Sequence, residues 1–153
     1  MDYVVIQSPL GPLTLAAAET ALTGIAFGRW MAGQENRTPV LAQAVRELEE
    51  YFAGERQEFT VPLAPEGTEF QKSVWAELQK IPYGETASYK DIAVRLGKPG
   101  AAIAVGQANS RNPIPIIIPC HRVIGTSGKL VGYTGGMHIK KTLLTIEGIP
   151  YTE

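Results

Sequence analysis

The chain has a single cysteine among its 153 residues, Cys120, and only two histidines, His121 and His138. One cysteine excludes an internal disulfide and any zinc or iron–sulfur site built from several thiolates, and it fits a reducing compartment. No apolar run approaches bilayer-spanning length, and the opening residues, MDYVVIQSPLG, lack the basic flank and long apolar stretch of a secretory signal. A soluble, cytoplasmic protein is expected. Positive charge is scarce in residues 1–69, which carry four arginines against ten acidic residues, whereas residues 70–153 carry ten basic and five acidic ones. The net charge of −1 therefore hides a balance of −6 followed by one of +5, and the second part is the phosphate-facing candidate.

Hydrophobic periodicity predicts a mixed α/β (α+β) protein of two parts, an N-terminal α/β lobe over residues 1–66 and a mainly helical part over 67–153. The stretch YVVIQSPLGPLTLAAAETALTGIAFG reads as three short strands, with PLGP as the first turn. Leu41, Ala44, Val45, Leu48, Tyr51 and Phe52 recur at helical spacing, and Gly54 is placed to end that helix. Nothing in this part carries chemistry.

The second part opens on a capping signal, Thr68 with Gln71, ahead of Phe70, Val74, Trp75, Leu78 and Ile81 on one helical face. A second capping box, Ser88 with Asp91, opens YKDIAVRLG, with Gly97 as its stop. Pro99 is expected in the first turn of a following helix through GAAIAVGQAN. Two short helices joined by a glycine turn spell helix-turn-helix. The second is built of alanine and glycine, which suits either tight core packing or close approach to a nucleic-acid groove.

NPIPIIIPC, with three prolines, is expected to run extended without forming a central strand and to deliver Cys120 at its end. A lone cysteine can be a small buried hydrophobe or a nucleophile; the second needs a neighbour that favours the thiolate. His121 is the candidate base, reaching Cys120 through a water because adjacent side chains of an extended chain point apart. In MHIKKTLLTIEG, Ile139, Leu143 and Ile146 are read as the buried face, and Glu147 falls in the last turn, where the helix dipole disfavours a carboxylate. A local rule broken in this way marks Glu147 as the group that orients His121. GYTGG, from Gly132 to Gly136, would let backbone N–H groups approach a ligand, with Tyr133 as a wall.

NPIPIIIPCHRVIG, GYTGG and LLTIEG together resemble the C-terminal domain of the 6-O-alkylguanine-DNA alkyltransferases, the methylated-DNA-protein-cysteine methyltransferases. FQKSVWAELQKIPYGETASYKDIA extends the likeness back to Phe70; the N-terminal half matches only in length and α/β character. The resemblance implies single-use repair of double-stranded DNA carrying 6-O-alkylguanine, and of 4-O-alkylthymine, by transfer of the alkyl group to Cys120 after the base is extruded. His121 would be the water-linked base, Glu147 its partner, Asn112 the brace of the active-site turn, and Tyr89 the residue that contacts and rotates the base. Tyr133 would wall the pocket, and Val123 and Thr134 would contact guanine through their backbones. Lys90, Lys98, Ala102, Ile103 and Thr126 would lie against DNA. No cofactor and no metal are implied, and a monomer that binds no membrane is expected. Ile103 stands where the family pattern has an arginine that fills the gap left by the extruded base. Two other readings are a DNA-binding sensor without transfer and a Cys-His thiol hydrolase; the presence of Cys120 disfavours the first, and the shortage of histidines the second.

Overall fold

The computed structural model describes residues 1–31, 33–125, 133 and 135–152. Thr126, Gly132 and Thr134 of the sequence reading lie outside them. The chain divides into two compact units, Met1–Glu66 and Gly67–Glu153. Among the described residues no helix is long and apolar enough to cross a membrane.

The first unit is a sheet with one helix on it. Strands β1 (Asp2–Ser8), β2 (Gly11–Ala17) and β3 (Leu22–Phe27) form an antiparallel meander. A short β4 (Gln34–Glu35), absent from the sequence reading, pairs parallel to β1 and gives the order β3-β2-β1-β4. Helix α1 (Pro39–Phe52) starts at Thr38, whose side chain caps it, with Pro39 in the first turn where a missing N–H costs nothing. Its apolar stripe, Val40, Leu41, Ala44, Val45, Leu48 and Tyr51, is buried against the sheet. Glu47 is also fully buried on α1. Its carboxylate accepts from Thr60 Oγ1 at 2.6 Å, from the backbone N–H groups of Thr60 and Val61 at 2.9 and 3.1 Å, and from Gln43 Nε2 at 3.0 Å.

In the second unit both capping boxes form: Thr68 and Gln71 open α2 (Glu69–Leu78), and Ser88 and Asp91 open α3 (Tyr89–Arg95). Trp75 on α2 is buried and donates its indole N–H to the Ala108 carbonyl of α4 (Ala102–Ser110) at 2.9 Å. Helix α3 closes on Gly97 in a left-handed turn, with Gly97 N–H on Val94 O and Lys98 N–H on Ala93 O. Helix α4 begins at Ala102, so Pro99 lies in the connecting turn and not in the first helical turn as expected. With α3 and α4 packed on each other, the helix-turn-helix is in place.

The isoleucine run does not extend as the sequence reading held. Ile118 N–H folds back to Ile114 O at 2.9 Å, and Ile116 has φ of +77°, a conformation costly for a β-branched residue. Ile114, Ile116, Ile117 and Ile118 are all buried in the resulting knot of turns. Pro113, Pro115 and Pro119 remove donors a strand would need, and Asn112 supplies the missing bonds: its Nδ2 donates to Ile118 O at 2.8 Å and its Oδ1 accepts from Ile114 N–H at 3.0 Å.

Candidate active site

The folded-back run ends in a 3₁₀ turn, Cys120–Arg122, and not in extended chain. The turn runs directly into β6 (Val123–Ile124), which pairs in parallel with β5 (Ala87–Ser88) in the register Ala87 to Val123 and Ser88 to Ile124. That two-residue ladder ties the end of the cysteine turn to the start of α3, and Tyr89 is the first residue of α3. Asn112, by closing the turns before Cys120, fixes the other side. Cys120 and His121 are both buried, His121 completely.

Helix α5 (Met137–Ile146) supplies the acid group. Its buried face is rotated from the one expected: Lys140, Leu143 and Leu144 are buried, while Ile139 and Ile146 are only partly covered. Positions 140, 143, 144 and 147 form one i, i+3, i+4, i+7 stripe, so Lys140 and Glu147 point the same way two turns apart. Glu147 is the capping residue of α5. Gly148, with φ of +71°, turns the chain so that its N–H reaches Thr145 O and Ile149 N–H reaches Leu144 O, which holds Glu147 in place.

A carboxylate at the C-terminal end of a helix is disfavoured by the dipole; Glu147 overcomes this with four donors. Its Oε2 meets His121 Nε2 at 2.6 Å and accepts from Arg122 Nη2 at 3.1 Å. Its Oε1 accepts from Arg122 Nε at 2.8 Å and from Gly84 N–H at 3.2 Å. The remaining arm of Arg122 donates to Ile81 O at 2.7 Å, and its guanidinium centre lies 5.8 Å from the Tyr83 ring centroid. A buried carboxylate gripped bidentately by arginine is the strong form of such a pair.

This grip sets the imidazole's tautomer. With Glu147 accepting at Nε2, that nitrogen carries the proton and Nδ1 carries the lone pair. His121 Nδ1 is buried and has no hydrogen-bond partner among the described residues. Burial pushes the imidazole below its ordinary titration range; Glu147 opposes this, and Arg122 and Lys140 add to the fall. His121 is neutral at pH 7 and able to accept a proton.

Burial pushes the Cys120 thiol up, and the Asn112 and Tyr133 side chains and the charge of Lys140 work against it. The sulfur rests as a thiol and becomes a nucleophile only when a base takes its proton. The Tyr89 phenol is raised by burial and then by the charged form of Cys120, with Asn109 opposing. It stays protonated and can donate. Its ring lies over the Gly106 position of α4, where a Cβ would come within 3.8 Å.

The sequence reading placed Cys120, His121, Glu147, Asn112, Tyr89, Val123 and Tyr133 in one site, and these residues are joined by the bonds and charges just described. Val123 is buried, and its carbonyl accepts from Lys140 Nζ at 2.8 Å. Lys90 and Lys98 are exposed, with the Lys98 ammonium 5.2 Å from the Phe70 ring centroid. Ala102 is half-buried, and Ile103, in the first turn of α4, is 81% exposed. Arg122 and Lys140 were missed. The first lies inside the stretch NPIPIIIPCHRVIG; the second was legible as a lysine on the stripe that ends at Glu147.

Family models match nearly the whole chain: residues 69–149 fit the 6-O-methylguanine DNA methyltransferase DNA binding domain, and residues 1–65 the ribonuclease-like domain of the same family. The second match reaches the half that the motifs left open. The methylated-DNA–protein-cysteine methyltransferase of Methanosarcina acetivorans is 51% identical over 158 residues, covering 97% of this chain and 99% of that protein. The crystal structure of Mycobacterium tuberculosis OGT in complex with DNA is 50% identical, with a TM-score of 0.89 over 96% of this chain and 92% of that one. A third structure, S. pombe Atl1 in complex with damaged DNA containing O6-carboxymethylguanine, is 32% identical over 56% of this chain and 81% of that one, with a TM-score of 0.50. The chain belongs to the 6-O-methylguanine DNA methyltransferase family.

Proposed function

We propose that this protein repairs DNA by moving the alkyl group of 6-O-alkylguanine irreversibly onto Cys120, each molecule acting once, as a monomer in the cytoplasm; 4-O-alkylthymine is the second substrate. One observation carries this reading: a buried thiol is followed by a neutral imidazole whose Nε2 is held by Glu147 at 2.6 Å, leaving a buried lone pair at Nδ1. His121 takes the thiol proton through one water, as general base. The Cys120 sulfur then attacks the alkyl carbon, the carbon–O6 bond breaks with its electron pair going to guanine, and the Tyr89 hydroxyl supplies the proton the departing base requires. The thioether is stable, and no step regenerates the thiol. No cofactor enters.

A guanine inside a duplex is out of reach of a buried sulfur, so the base must leave the stack. The helix-turn-helix α3–α4 is the element that would lie along the minor groove. Small residues Ala102 and Gly106 let its backbone come close, and Lys90 and Lys98 position phosphates without reading sequence. Thr126, outside the described residues, is assigned to the same surface. Ile103, 81% exposed at the start of α4, wedges into the gap the base leaves. An isoleucine fills that gap but offers the orphaned base neither hydrogen bond nor charge. In the pocket, Tyr133 forms a wall and the Val123 backbone meets the guanine edge; Thr134, outside the described residues, is assigned to the same edge.

Intact mass after incubation with duplex DNA bearing 6-O-methylguanine tests this reading, with free 6-O-benzylguanine in a parallel arm. One methyl group mapped to Cys120 is the expected result. Benzyl transfer without methyl transfer would place the defect in duplex handling, and no adduct in either arm would favour a binding protein without transfer.

A further inference from the structure

Asn109 on α4 is 4% exposed, and no step of the transfer uses it. Ala102, Gly106 and Asn109 stand at i, i+4 and i+7 of that helix and form one stripe. Its first two positions are the small residues assigned to the groove, and the Tyr89 ring lies over the second, 3.8 Å from where a Gly106 Cβ would be. The third reaches the cysteine turn, where Asn109 Nδ2 donates to the Cys120 carbonyl at 3.5 Å. A carbonyl can only accept, so the end of the amide that faces it is Nδ2. Burial and the charged form of Cys120 raise the Tyr89 phenol, and the Asn109 amide works the other way, as a donor beside that oxygen does. Both contacts employ Nδ2. Oδ1 is buried and has no hydrogen-bond partner among the described residues. A buried acceptor in that condition costs stability and calls for a donor. Here it lies where the groove stripe, the tyrosine and the thiol meet.

The extruded nucleotide can supply that donor. Alkylation at O6 removes the N1 proton of guanine, so the exocyclic 2-amino group is the one N–H donor left on the base. Alkylation at O4 removes the N3 proton of thymine and leaves none. The backbone acceptors of the cysteine turn are already engaged: Cys120 O takes the Val123 N–H and Asn109 Nδ2, and Val123 O takes Lys140 Nζ. We propose that Asn109 is a specificity-determining residue: its Oδ1 accepts from the 2-amino group of the extruded guanine, and this favours 6-O-alkylguanine over 4-O-alkylthymine. The proposal rests on the repair reading for its substrates. A site with a buried acceptor for an N–H discriminates against an analogue that lacks it, because the acceptor is then left unpaired.

The test compares the unmodified protein with Asn109→Leu, close in size but without an acceptor, and with Asn109→Ala. Methyl transfer to Cys120 is followed by intact mass under single-turnover conditions. One duplex carries 6-O-methylguanine, and the other carries 6-O-methylhypoxanthine in its place, which differs only in lacking the 2-amino group. The unmodified protein should prefer the guanine about tenfold, the worth of one good buried hydrogen bond, and the variants should bring that ratio to about one. A third duplex, with 4-O-methylthymine, should gain on 6-O-methylguanine by the same factor in the variants. A guanine-to-hypoxanthine ratio that the variants leave unmoved, even with every rate lowered, would overturn the proposal and leave Asn109 as a brace of the cysteine turn. If neither variant folds, an unmodified protein that treats the two duplexes alike would overturn it. The same preference is read in the equilibrium binding of the two duplexes to Cys120→Ser, with and without Asn109→Leu, where no alkyl group moves. A binding preference that disappears with the Asn109 side chain, while the unmodified protein transfers nothing, would count against the repair reading and not against Asn109.

Discussion

Two glutamates in this chain are equally well hidden, Glu47 in the first unit and Glu147 in the second, and they serve different ends. Among the described residues Glu47 collects only uncharged donors: Thr60, Val61 and Gln43. It staples the segment around residues 60–61 to α1. Glu147 collects a guanidinium, a backbone N–H and an imidazole, and the imidazole's other nitrogen is left with its lone pair. Burial of a carboxylate is therefore not itself a sign of chemistry. What marks the second is that one of its donors can titrate and lies next in sequence to a thiol.

The largest effect that would sharpen the contrast lies at the thiol. Cys120→Ser should give no stable adduct with either substrate, read by intact mass, because a serine hydroxyl at neutral pH is a far poorer nucleophile than a thiolate. His121→Gln should slow benzyl transfer by roughly 10²–10⁴-fold, the usual worth of a positioned base, as measured by single-turnover mass shifts. No change at Glu47 should approach either.

A smaller effect belongs to Ile103. Ile103→Arg should speed methyl transfer from duplex DNA, because an arginine can fill the gap and also bond to the orphaned base, while leaving transfer from free 6-O-benzylguanine unchanged. Equal duplex rates for the two proteins would refute the expected handicap of isoleucine at this position. The smallest effect is thermodynamic. Burial pushes the Glu47 carboxyl up, but bonds from the Thr60 side chain, from Gln43 and from the Thr60 and Val61 N–H groups outweigh it and hold the group below its ordinary 4.5. Its stabilisation is present above that value and is lost as pH falls through the lower, folded-state value. Melting curves from pH ~5 to ~3 should fall more steeply for the unmodified protein than for Glu47→Gln, which at neutral pH should cost about 1–3 kcal/mol.

Much of this was legible in the sequence because local rules and tertiary structure agree there. Both capping boxes, the three-strand meander, the helix-turn-helix and the Cys120, His121 and Glu147 set were read from spacing, turn residues and one dipole-defying carboxylate. The failures share a cause. The isoleucine run reads as extended because prolines forbid a helix, yet Asn112 replaces the lost backbone bonds and lets the chain curl. The α5 face was misjudged by about one residue because lysine counts as polar in any periodicity, and Lys140 is inside. Arg122 was in plain view, but its task depends on Glu147, 25 positions away. Strand β4, two residues long, has no pattern to find.

The most direct test of the contrast sets Glu147→Gln beside Glu47→Gln, both assayed at a temperature where melting curves show them fully folded. The rate of methyl transfer from duplex DNA carrying 6-O-methylguanine is measured by intact mass under single-turnover conditions. The account predicts a loss of at least ~10²-fold for Glu147→Gln, because the amide lacks the charge that steadies the His121 cation and can donate to Nε2, favouring the wrong tautomer, and an unchanged rate for Glu47→Gln. Equal rates in the two variants would contradict it, and would reduce Glu147 to a second staple.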